Sequence, residues 1–85
     1  MPIVKRIPVK GVNYYAMKGR FLKRGFHLVE SECMLLPNKA NPTGGLSVLD
    51  CGCSRVEIRT EVFRNPNTGK LNCGKIIECK EIVYD

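Results

Sequence analysis

A β-rich α+β fold is what this chain predicts: about five short antiparallel strands, as a small sheet or an OB- or SH3-like barrel, with one short helix near residues 13–24. Three observations carry that expectation. Val56, Ile58, Thr60 and Val62 alternate with Arg55, Glu57, Arg59 and Glu61, the period-two pattern of a strand with one buried face. The turn-forming run Asn65-Pro66-Asn67-Thr68-Gly69-Lys70 then leads into a second apolar stretch, which makes a hairpin. Upstream, Tyr14, Met17 and Phe21 recur at three- and four-residue spacing between Asn13, a competent N-cap, and Gly25, a competent C-terminal stop.

The elements follow in chain order. Residues 3–9 alternate loosely and read as a strand, with Pro8 assigning it to an edge because proline removes a ladder donor. The helix at 13–24 places Lys23 and Arg24 in its last turn, where the helix dipole favours cations. Gly19 in its interior costs about 1 kcal/mol relative to alanine, and a hairpin turning at Lys18-Gly19 is the rival reading. Residues 26–36 are long, apolar and stopped by Pro37, so they read as one strand. Residues 37–45 form a mobile loop by composition. A short strand at 46–53 bends at Gly52, where the apolar parity changes. Folding the last hairpin symmetrically about its turn sets Val62 opposite Cys73, Ile58 opposite Ile77 and Val56 opposite Cys79. Only Thr60 opposite Lys75 breaks the single buried face.

Length bounds the rest. At 85 residues the chain is one compact domain that buries roughly 60–65% of the surface its unfolded form exposes. No apolar run approaches a membrane span, and Lys5, Arg6 and Lys10 interrupt the N-terminus where a signal peptide needs a continuous apolar stretch. The expected location is cytoplasmic. Five cysteines, an odd number, fit a closed disulfide framework poorly. Cys33, Cys51, Cys53, Cys73 and Cys79 are therefore expected reduced and core-like, with long-range disulfides as the alternative. In an extended strand Cys73 and Cys79 lie roughly 20 Å apart, and Cys51 and Cys53 near the ~7 Å limit, so local pairs are not expected, while cross-strand pairs stay open. Zinc held by Cys51, Cys53, Cys73 and Cys79 is a weak alternative, because their spacings lack the paired knuckles of structural zinc sites. No cofactor is expected.

The functional signal is the distribution of charge. The net charge is +6, and residues 1–29 contain Lys5, Arg6, Lys10, Lys18, Arg20, Lys23 and Arg24 without a single acid. Tyr14, Tyr15, Phe21, Phe26 and His27 are interleaved with them. Cations for phosphates and flat rings for bases are the ingredients of single-strand nucleic-acid recognition. The expected function is a small basic nucleic-acid-binding module, single strands preferred. Lys10, Lys18, Arg20, Lys23 and Arg24 would meet phosphates, Tyr14, Tyr15, Phe26 and His27 would stack, and Phe21 would fill the core. The alternative is an adaptor or inhibitor that docks the same basic face on an acidic protein. Edge strands such as 3–9 offer a route to homo-oligomers. Arg24, Gly25, Phe26 and Val29 fit the RNP1 strand signature, but His27, Leu28 and Ser31 depart from it, so that family is not assigned. One histidine and no phosphate-binding loop give no catalytic constellation, and no enzyme is expected.

Overall fold

The final hairpin dominates the computed structural model, which describes residues 2–29, 32–37, 39 and 42–84. In chain order the elements are β1 (Ile3–Arg6), α1 (Tyr14–Lys23), β2 (His27–Leu28), β3 (Met34–Leu35), β4 (Gly44–Asp50), β5 (Ser54–Arg64) and β6 (Leu71–Val83). All strand pairs are antiparallel, in the order β1-β6-β5-β4-β2, with β3 also on β4. The sheet is open, not a closed barrel: β1 forms one edge, and β2 with β3 the other. Among the described residues no helix is long and apolar enough to cross a membrane.

Helix α1 forms as its caps dictate, so the rival hairpin at Lys18-Gly19 is overturned. The Asn13 side chain accepts the Ala16 N–H at 2.8 Å, satisfying one of the amides the first turn leaves unbonded. At the other end Gly25 takes a φ of +92°. Its N–H donates to Leu22 O and the Phe26 N–H to Phe21 O, the paired bonds of a Schellman stop. The accompanying apolar contact is Phe21 against Phe26, edge to face with centroids 5.2 Å apart. Tyr14, Met17 and Phe21 are the buried face of the helix. They pack with Leu49, Val56, Ile58, Cys73, Ile76 and Cys79 from the covered face of the sheet.

Several expectations about the strands need correction: the strand expected at 3–9 ends at Arg6, and that at 46–53 runs from Gly44 to Asp50, with Gly52 in the turn that follows. The single strand at 26–36 is two short pieces, each paired with β4. Between Leu28↔Leu49 and Met34↔Leu46 this edge advances six residues while β4 advances three, so the excess leaves the sheet. Cys33 sits in that excursion with a φ of +56°, which no pleated strand accommodates. The loop at 37–45 ends earlier than its composition implies, because Gly44 and Gly45 already pair with Glu61 and Thr60. Residues 38, 40 and 41 of that loop lie outside the described residues. The hairpin register changes along its length. Val62 faces Cys73 as expected, but Thr60 faces Ile76, Ile58 faces Cys79 and Val56 faces Glu81. Two irregularities, at Arg59/Thr60 and Thr60/Val62, each add one residue to β6. A two-residue shift preserves side-chain parity, so the buried face survives while its partners change. The expected clash of Lys75 with Thr60 disappears: Ile76 fills the core position, and Lys75 moves out.

The cysteines divide by position. Cys33 and Cys73 form a disulfide with Cα atoms 5.7 Å apart across a separation of 40 residues, within the usual Cα range for such bonds. The expectation of five reduced, core-like thiols is thereby overturned. Sequence separation concealed the pair, because only the excursion between β2 and β3 brings Cys33 over β6. Of the other three, Cys79 is buried, Cys51 half-buried and Cys53 exposed.

Candidate functional site

The turn leading from β1 into α1 builds a concavity. Val12 N–H donates to Val9 O at 3.1 Å, and Gly11 at the third position has a φ of +74°, as a type II turn requires. That turn carries Lys10 at its tip. Asn13 bridges to Lys75 of β6, and the two segments enclose an open groove of about 610 Å³ lined by Val9, Lys10, Gly11, Val12, Asn13, Lys75 and Ile76. An apolar floor with a lysine from each side suits a ligand with a flat apolar body and negative charge, and the volume lies in the range of small-molecule sites. Lys75 was missed by sequence reasoning. Its one signal was its misfit opposite Thr60, which the irregular pairing resolves by expelling it into this groove.

The seven N-terminal cations fare differently. Arg6 pairs with Glu78 at 2.9 Å, Lys18 with Glu32 at 2.5 Å and Arg24 with Glu81 at 3.3 Å. Arg24 also lies over the rings of Phe21 and Phe26, at 5.1 and 5.3 Å. Acids from the later chain thus return to the basic segment and neutralise part of it. Lys5, Lys10, Arg20 and Lys23 have no ion-pair partner among the described residues. Arg20 and Lys23 project from the exposed side of α1.

The rings are mostly committed elsewhere. Tyr14 is 1% exposed and Phe26 4%, so neither presents a face to a base, contrary to expectation. Both are needed inside because so small a core has few large side chains to fill it. The Tyr14 hydroxyl donates to Glu32 at 2.6 Å, and burial first, then this bond, pushes its pKa well above the usual phenol range. Glu32 shows the opposite balance. Burial raises its pKa, but hydrogen bonds from Lys18 and Tyr14 outweigh burial and hold the carboxyl below its ordinary value. Tyr15 is 56% exposed on the helix. His27 is exposed too, but it pairs across β4 with Asp50 on the uncovered sheet face, away from the helix. The structure therefore groups Lys10, Tyr15, Arg20 and Lys23 around the helix and adds Lys75; it does not bring His27 to them. Phe21 is buried as expected.

The weak zinc set does not assemble. Cys73 is bonded to Cys33, and Cys79 lies under the sheet, where burial raises its thiol to about 11. Among the described residues no three or more metal-ligating side chains converge. Comparison with known proteins found no matching family model, no matching curated protein and no matching solved structure.

Proposed function

We infer that the chain is a nucleic-acid-binding module, single strands preferred, whose contact surface runs from the Lys10–Lys75 groove along the exposed side of α1. The observation that carries the reading is the groove, lined by Val9, Val12 and Ile76 together with Lys10 and Lys75, with Arg20 and Lys23 on the adjoining helix. Ten helical residues span about 15 Å, so a strand entering the groove meets cations along its length. Tyr15 is the ring available for stacking on that surface, with the apolar groove floor as a second platform. Burial of Tyr14 and Phe26 removes two of the four expected stacking rings, and this favours the second reading, docking on an acidic protein.

Fluorescence anisotropy with a labelled single-stranded oligonucleotide distinguishes the two. Phosphate contacts from Lys10, Lys75, Arg20 and Lys23 predict a log–log salt slope of roughly −3, at about −0.7 per contact. Lys10→Glu with Lys75→Glu weakens binding at least tenfold, while Lys39→Glu, far along the chain, changes it little. Absence of binding at low salt refutes the nucleic-acid reading and leaves the acidic partner. Equal losses from the groove pair and Lys39→Glu reduce the interaction to net charge.

A further inference from the structure

The turn joining β4 to β5 brings two sulfurs together that an extended chain would hold apart. Asp50 Oδ1 accepts the Gly52 N–H at 2.6 Å, and Gly52 adopts a φ of +94°, a conformation that favours glycine. Cys51 N–H donates to Ser54 O at 3.1 Å and closes the turn. As a result Cys51 Sγ and Cys53 Sγ lie 3.3 Å apart, about 1.3 Å beyond a disulfide bond length. Cys53 is exposed and Cys51 half-buried, so both are open to a reactant.

We propose that Cys51-Gly52-Cys53 is a thiol–disulfide exchange centre, with Cys51 the attacking sulfur and Cys53 the resolving one. Its substrate class is an accessible disulfide, RS–SR′. The Cys51 thiolate forms a bond to one sulfur, and R′S⁻ leaves with the electron pair of the broken S–S bond and takes up a proton. Cys53 gives up its proton to water and attacks Cys51 Sγ; RS⁻ departs and is protonated in turn. The protein loses two electrons and two protons, and the disulfide becomes two thiols. No third ligand converges on the pair among the described residues, which separates it from a closed metal site.

The two sulfurs are not equivalent. Cys51 Sγ lies 3.4 Å from Ser54 Oγ, and that hydroxyl, then the Cys53 backbone N–H and further contacts from Cys53 and Ser54, lower its pKa to about 7. The Cys53 thiol is raised, first by its hydrogen bond to Cys51 and then by the charge there. That lowering enriches Cys51 in the reactive thiolate near neutral pH relative to an ordinary thiol. Lower intrinsic nucleophilicity offsets most of that advantage and leaves Cys51 roughly fivefold faster.

The test uses the full-length chain in oxidised glutathione at pH 7, quenched by alkylation. Trypsin separates residues 40–55, which hold both cysteines, from 25–39, 71–75 and 76–80, which hold Cys33, Cys73 and Cys79. The proposal expects the 40–55 peptide to lose two hydrogens without retaining glutathione. It also expects Cys53→Ser to accumulate a mixed disulfide on Cys51 about fivefold faster than Cys51→Ser does on Cys53. Two glutathiones retained on the wild-type peptide, equal rates in the two variants, or no reaction at all overturns it. Because every readout is a peptide mass at a surface turn, oligonucleotide binding has no bearing on the result.

Discussion

Replacing Cys33 and Cys73 together by alanine removes the covalent tie between the β2–β3 excursion and the central hairpin. The bond closes a loop of 40 residues. Chain entropy assigns a loop of that length about 4 kcal/mol at 25 °C through its restriction of the unfolded chain. A domain of this size has of order 4–13 kcal/mol of stability in all, so the loss takes a third of it or more. With a urea m-value near 1–1.5 kcal/mol/M, the unfolding midpoint should fall by roughly 3–4 M. Urea titration followed by far-UV circular dichroism measures this, on the double variant and on the parent with and without reductant. Reduction of the parent should reproduce the drop, since cutting the link restores unfolded-state freedom without removing side chains. A midpoint within about 0.5 M of the parent refutes the reasoning. So does a non-reducing tryptic map in which the Cys33 and Cys73 peptides run unlinked. If the double variant falls but the reduced parent does not, the loss belongs to side-chain volume and not to the cross-link.

Further perturbations test the packing around that tie. Gly45→Ala places a Cβ against Val62 Cγ2 and within 3.1 Å of Met34 O and 3.2 Å of Cys33 O. Val62 is stiff at χ1, so overpacking should cost about 1–3 kcal/mol in urea unfolding; an unchanged midpoint would mean the β3–β4 edge yields freely. Asn13→Ala removes the cap on the Ala16 amide and should cost about 1 kcal/mol, while Asn13→Asp should retain most of it. Glu32 gives a pH dependence. Its carboxyl is held below its ordinary value of 4.5, so its contribution is complete above that value and is lost as pH falls through the folded-state pKa. Tyr14→Phe with Lys18→Gln should be less stable at pH 7 and lose less between pH 5 and pH 3 than the parent. An identical acid-side slope in both proteins would show that this trio does not couple to folding.

Local rules left clear marks on the chain. Asn13 and Gly25 bound a helix whose Tyr14, Met17 and Phe21 face inward, because capping and 3.6-residue periodicity act within a few residues. The alternation from Val56 to Val62 and the turn at 65–70 settled the hairpin and its buried face, because a strand has only two faces. The first strand lies at a sheet edge as expected, although it ends at Arg6, before Pro8. What the sequence could not decide were matters of pairing between distant segments. The acid-free first 29 residues looked like one basic face, but the fold returns Glu32, Glu78 and Glu81 to Lys18, Arg6 and Arg24 and leaves a smaller cationic surface. Tyr14 and Phe26 were candidate stacking rings until the helix docked and the core took them. Lys75 joined Lys10 only through two irregular pairings in β6. Cys33 found Cys73 across 40 residues, and Gly52 turned Cys51 toward Cys53. Helix, turn and facing are set by neighbours along the chain, whereas register, ion pairs and sulfur proximity depend on which segments the collapsed sheet places side by side.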